Sequence, residues 1–89
     1  AIFVGPYDLT ASMGITAQFD NPDYLNALLY VNKISKEKGL ITGIHVVQPS
    51  PEEVIQKHKI GYNLIAYSLD ITIIGTNCRN AIKQITTSI

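Results

Sequence analysis

Short apolar runs alternate with stretches of helical period along this chain, and that order limits the fold more than any other feature. Ile2-Phe3-Val4 predicts a short buried strand. Asn21-Pro22-Asp23 predicts a helix start, with a capping amide, proline at the first helical position and an acid in the first turn. Leu25, Leu28, Leu29 and Ile34 follow at helical spacing, with Tyr24 and Val31 close to the same stripe. Lys33, Lys36 and Lys38 lie toward the end of that helix, where its dipole favours cations, and Gly39 supplies the stop. Leu40 to Val47 reads as a second strand whose unbroken apolarity predicts burial on both faces. Ser50-Pro51-Glu52-Glu53 opens a second helix with a capping box; Val54, Ile55 and Ile60 carry it and Gly61 closes it. Asn63 to Ser68 predicts a third strand. Asp70 or Thr72 then caps a last helix with Ile74, Cys78, Ile82 and Ile85 at helical spacing. Gly75 weakens the first turn of that helix by roughly 1 kcal/mol relative to alanine.

A strand–helix alternation of this kind dictates parallel strands joined by right-handed crossovers. With the strands adjacent in sequential order, every helix falls on one face of the sheet and the opposite apolar face is left bare. Closing the sheet into a barrel turns that bare face into a packed interior. At roughly 30 residues per βα unit, an eight-fold barrel takes about 250 residues, and 89 residues supply only three units. The expected fold is therefore α/β, with residues 1–89 forming the C-terminal three βα units of a TIM (β/α)8 barrel, an incomplete domain whose earlier strands lie upstream. The start at Ala1, directly before a strand, fits a piece of a longer chain.

Composition narrows the function classes. A hydrophobic fraction of 46% argues for an ordered core over a disordered segment. Seven basic residues balance seven acidic ones and are scattered, so no electrostatic footprint for nucleic acid or for an anionic membrane is present. No apolar run reaches membrane-spanning length, and no signal-peptide pattern is found. The single Cys78 cannot form an internal disulfide, which points to a reducing, cytoplasmic setting.

Candidate chemistry gathers where the first strand hands over to the next helical segment, the place where parallel α/β sheets hold ligands. There Gly5-Pro6 is followed two residues later by Asp8. Its carboxylate is a hard oxygen donor suited to a divalent cation such as Mg²⁺, and it is equally placed to cap a helical turn over Leu9 to Met13. His45 stands near the C-terminal end of the second strand, either lining the site or hydrogen-bonded in the interior. His58 reads as a surface residue, Cys78 as a small core residue and Asp70 as a cap. The glycines form no dinucleotide fingerprint, because Gly5-Pro6 lacks the backbone freedom that such a turn requires.

Gly5-Pro6-Tyr7-Asp8-Leu9-Thr10-Ala11-Ser12-Met13-Gly14 resembles the G-P-(A/S)-D-L-(S/A)-A-x-(M/L)-G signature of the HpcH/HpaI class II aldolases, such as 4-hydroxy-2-oxoheptanedioate aldolase and 2-dehydro-3-deoxyglucarate aldolase. The resemblance continues through Asn21-Pro22, Gly43-Ile44 and Ala66 to Thr72. It implies a metal-dependent aldol lyase that cleaves a 4-hydroxy-2-oxo acid to pyruvate (or a close analogue) and an aldehyde. By the same resemblance Asp8 ligates the metal (Mg²⁺, or alternatively Mn²⁺ or Co²⁺), and the backbone N–H of Tyr7 holds the pyruvyl carboxylate. His45 lies toward the aldehyde part, so that Tyr7, Asp8 and His45 are the substrate-binding set. The catalytic histidine, an arginine and a second metal carboxylate belong to earlier strands, so this segment holds no catalytic base and is expected to be inactive alone. The resemblance also implies a homo-oligomer, a hexamer in which the last helix packs on a neighbouring subunit. Tyr7, His45 and Ser68 depart from the usual alanine or serine, leucine and glycine, which bears on the substrate more than on the chemistry. Two other readings remain. One is a citryl- or malyl-thioester lyase of the same superfamily, for whose coenzyme A phosphates no basic cluster is seen. The other is a non-catalytic α/β module whose bare sheet face binds a partner chain.

Overall fold

The strand–helix alternation is realised in full in the computed structural model, which describes residues 1–89. The order is β1 (Ile2–Val4), α1 (Pro6–Ser12), α2 (Pro22–Glu37), β2 (Thr42–Val46), α3 (Pro51–Ile60), β3 (Leu64–Tyr67) and α4 (Asp70–Ser88). The strands form one parallel sheet in sequential order, with Val4 level with Ile44 and Ile44 level with Ile65.

The caps explain most of the boundaries. Asn21 Oδ1 accepts from the Asp23 amide at 2.9 Å, with Pro22 in the first helical position. Ser50 Oγ accepts from the Glu53 amide at 3.2 Å and donates to Glu52 at 3.3 Å. Two expectations are corrected. The segment after β1 starts at Pro6 with Gly5 as N-cap, so Asp8 is the third residue of α1 and caps nothing. Proline at the first position, with its φ already helical and no N–H to satisfy, brings the start forward. In the last helix neither Asp70 nor Thr72 is the cap: Leu69 precedes the first turn, and Asp70 Oδ1 accepts from the Ile71 amide at 2.7 Å.

The core lies between one face of the sheet and α2, and consists of Val4, Tyr24, Leu28, Ile44 and Tyr62. The buried stripe of α2 runs through Tyr24, Leu28 and Ser35, with Val31 packed beside it. Leu25 and Leu29 of the predicted stripe face outward, toward the open groove beside α3. Behind this layer the Tyr62 hydroxyl and the Asn32 side-chain oxygen are enclosed without a well-formed hydrogen bond, although Asn32 is close enough to oppose the rise in phenol pKa that burial causes.

The other face of the sheet is bare. Phe3 and Leu64, at 50% and 49% exposure, flank Gly43 there, and the space a Gly43 side chain would take is closed by both of them. α4 is equally unpartnered: none of its residues is buried, Ile71, Ile74, Ile82 and Ile85 are all open, and Cys78 is exposed where a core position was expected. No helix is long and apolar enough to cross a membrane.

Candidate functional site

Side chains alternate across β1, so Phe3 faces the bare side, Val4 the core, and Gly5, still extended at φ −96° and ψ 105°, the bare side again. The Asp8 carboxylate lies against the position that a Gly5 side chain would take. A Cβ on Gly5 would lie 3.2 Å from Asp8 Oδ2 and 3.8 Å from Asp8 Cγ. With glycine there, the acid lies against the end of β1 without a shift; a Cβ would press only on Asp8 Oδ2, the far end of its side chain. Asp8 is exposed, and no side-chain hydrogen bond occupies it. The first helical bond of α1 runs from the Leu9 amide to the Gly5 carbonyl at 2.8 Å, and proline has no amide, so the Tyr7 and Asp8 N–H groups have no acceptor within the helix. An uncommitted carboxylate beside free amides suits one cation together with the anionic group of a ligand. No group of three or more histidine, cysteine or carboxylate side chains converges anywhere in the chain. Asp8 thus fits a metal as one ligand, with the rest of the shell to come from water, substrate oxygens or other protein groups.

The residue that fixes this turn is Thr10, fully buried, which reasoning from the sequence did not single out. Its hydroxyl donates to the Pro6 carbonyl at 2.8 Å and accepts from the Ala17 amide at 3.0 Å, tying α1 to the loop that follows. Thr10→Val keeps the shape but leaves the Ala17 amide without its acceptor, at a cost of about 1–3 kcal/mol. The expected result is a lower urea midpoint at unchanged m-value, measured by circular dichroism.

The Tyr7 ring packs edge-on against Phe19, with centroids 5.0 Å apart at 89°, and Phe19 in turn meets Tyr24 at 5.7 Å. These rings wall a cleft of about 150 Å³ that is also lined by Glu53 and Lys57 of α3, with the end of β2 at His45 on its border. The Tyr24 phenol is pushed up to about 12 by burial first and then by the neighbouring Tyr62 and Glu53, so it is a neutral wall of the cleft. What Tyr7 leaves near Asp8 is its backbone amide.

His45 belongs to the bare face, two residues beyond Gly43, while Ile44 and Val46 on either side point into the core. It is level with Ala66 of β3 and, continuing the β1 register by one residue, with Gly5. Its Nε2 lies 2.9 Å from the Ser68 carbonyl oxygen. Ser68 adopts φ 54°, in the left-handed region, and its buried hydroxyl has no partner. Continued by one residue, the register puts Gly5, against which the Asp8 carboxylate lies, on the sheet row of His45, and Tyr7 contributes its amide beside Asp8 and its ring to the cleft that His45 also borders.

Comparison with solved structures identifies the architecture. An HpcH/HpaI aldolase/citrate lyase family protein from Burkholderia cenocepacia J2315 superposes with a TM-score of 0.86 at 31% identity, over 94% of this chain and 32% of that one. This chain has the fold of one segment of that protein. An HpcH/HpaI aldolase from Desulfitobacterium hafniense DCB-2 matches with a TM-score of 0.84 at 21% identity, over 96% of this chain and 32% of its own. The chain thus spans about a third of the length of both HpcH/HpaI structures, and its three-stranded parallel sheet with four helices corresponds to part of their barrel-like fold. No protein-family model matches the sequence, and neither does any curated protein.

Proposed function

We propose that this chain provides the C-terminal three βα units of a TIM-barrel aldol lyase that depends on a divalent metal and cleaves a 4-hydroxy-2-oxo acid to pyruvate, or a pyruvate analogue, and an aldehyde. The observation that carries the reading is the Asp8 carboxylate, folded over Gly5 onto the bare sheet face at the C-terminal strand ends, exposed and without a hydrogen-bond partner. In this reading Asp8 is one ligand of Mg²⁺, or of Mn²⁺ or Co²⁺, and the Tyr7 amide holds the 2-oxo acid's carboxylate. A metal held there would supply Lewis-acid polarisation of the 2-oxo group and offset negative charge as the carbon–carbon bond breaks. His45 borders the departing aldehyde. The base and the remaining ligands come from strands outside these residues, and the setting is cytoplasmic. The resemblance of the Gly5 to Gly14 motif and the HpcH/HpaI neighbours both support the reading.

The bare sheet face and the exposed isoleucine stripe of α4 support a place within a larger assembly, the face closed by further strands and α4 packed on a second subunit of a homo-oligomer. The test is pyruvate release from a 4-hydroxy-2-oxo acid by the full-length barrel protein, followed through lactate dehydrogenase and NADH. Release is expected with Mg²⁺ or Mn²⁺, is expected to stop on chelation and to return on readdition of metal. Pyruvate formation that chelators leave untouched overturns the metal assignment, and no release from any such acid overturns the lyase.

A further inference from the structure

The cleft walled by Tyr7, Phe19 and Tyr24 carries one acid and one base, Glu53 and Lys57. It opens on the helix side of the sheet, against the core residues Leu28 and Ile44, whereas Asp8 lies against Gly5 on the bare side. Glu53 and Lys57 are one turn apart on α3 and share a face, with Cβ atoms roughly 5–6 Å apart. An acid four residues before a base is the favourable order for a helical ion pair, yet no ion pair or hydrogen bond joins these two side chains. Both are half-buried, so each charge lines the cleft without a partner of opposite sign. Burial first, then Tyr62 and Glu53, hold the Tyr24 phenol protonated, and its O–H is a donor toward the Glu53 end of the cleft. A volume of about 150 Å³ admits an apolar body about the size of a benzene ring. A ligand charged with one sign alone meets its like here as well as its opposite, which costs affinity. A ligand with both charges on adjoining groups, and an apolar body beside them, meets the opposite of each.

We propose that this cleft is a binding site for a free α-amino acid with an apolar side chain, its ammonium group on Glu53, its carboxylate on Lys57 and its side chain against the aromatic wall. At neutral pH such a molecule carries both charges, and Glu53 and Lys57, one helical turn apart, take one each. The site goes beyond the lyase reading and does not depend on it. Its occupant lies behind the sheet, not over Asp8, and the cleft meets the candidate site only at the strand ends, through Pro6, Tyr7 and His45.

The experiment is titration calorimetry of the full-length protein with three probes: L-leucine, 4-methylpentanoate (leucine without its ammonium group) and 3-methylbutylamine (leucine without its carboxylate). Leucine is expected to bind saturably at one site per chain. Each of the other two is expected to bind at least about tenfold more weakly, as the loss of one charge-assisted hydrogen bond requires. Glu53→Gln and Lys57→Met nearly preserve side-chain length and are each expected to weaken leucine by a similar factor. Glu53→Gln is expected to leave 4-methylpentanoate no weaker than before, because that probe has nothing to place on Glu53. No saturable binding of leucine in the millimolar range overturns the site. Binding of 4-methylpentanoate or 3-methylbutylamine as tight as that of leucine overturns the amino-acid class. An unchanged leucine affinity in both variants overturns the placement in this cleft. Heat is read without turnover, so each of these failures leaves the lyase reading standing, and failure of pyruvate release leaves the amino-acid site standing.

Discussion

Asp8→Asn in the full-length protein is expected to reduce metal-dependent pyruvate release by at least about 10³-fold while leaving the fold unchanged. The substitution preserves shape to within an atom and removes the negative charge. A metal that polarises a carbonyl contributes several kcal/mol to the transition state, and an amide oxygen is a much weaker ligand for a hard cation than a carboxylate. The structural cost is small because Asp8 makes no side-chain hydrogen bond, is exposed and is not the N-cap. What it loses is its favourable place in the first turn of α1, worth roughly 0.3–1 kcal/mol. The two effects therefore separate. Metal affinity measured by titration calorimetry and kcat at saturating metal should both fall steeply, and the thermal midpoint should move by a few degrees at most. Near-normal turnover of the variant at limiting Mg²⁺ removes Asp8 from the metal site. A collapse of the midpoint instead assigns Asp8 a structural role that its open surroundings do not suggest.

The element order and the caps were legible in the sequence because they are local. Asn21 with Pro22, and Ser50 with Pro51, act within a few residues of themselves, and the structure shows their side chains on the expected amides. The start of α1 was misplaced by the same kind of local competition: an acid before an apolar run resembles a cap, yet Pro6 had already set the helical φ. Periodicity gave α2 and α4 their helices but not their partners. Leu25 and Leu29 share the spacing of buried positions and lie outside, since Tyr24 and Leu28 already fill the layer against the sheet. The isoleucines of α4 read like a core stripe and cover nothing within this chain. Thr10 was invisible because its value depends on the Ala17 amide seven residues on. The direction of the Tyr7 ring likewise depends on Phe19, twelve residues away. The carboxylate was legible as a residue, but its placement over Gly5 needed coordinates, since only they show that the returning acid lies against the empty Cβ position.

Gly43→Ala should be among the most destabilising single changes in the chain, by about 3 kcal/mol. Gly43 is the midpoint of the bare face, with Phe3 of β1 on one side and Leu64 of β3 on the other. A Cβ there would lie 2.6 Å from Phe3 Cδ2, 2.9 Å from the Leu64 carbonyl oxygen and 3.3 Å from Leu64 Cβ. The Phe3 ring is half exposed and can swing aside, so that contact alone is cheap. The Leu64 carbonyl is not free to move, because it belongs to the parallel ladder, and relief requires β2 and β3 to part. Overpacking of this kind typically costs 1–3 kcal/mol and occasionally more, and a full-length barrel of about 250 residues loses roughly 2–4 °C in Tm per kcal/mol. Thermal unfolding of the full-length protein followed by circular dichroism should therefore show a fall of roughly 6–12 °C. Adding Phe3→Ala should recover only a minor part of it, since the backbone clash remains. The loss also reaches the candidate site, because His45 stands two residues further along β2 and its ring is held by a carbonyl just past the end of β3. Separating those strands breaks the 2.9 Å contact that sets its tautomer, so any Gly43→Ala protein that still folds should show a mixed tautomer population for His45. A variant with an unshifted midpoint and a single Nε2–H tautomer would mean that β2 and β3 are not as close at this row as the register requires.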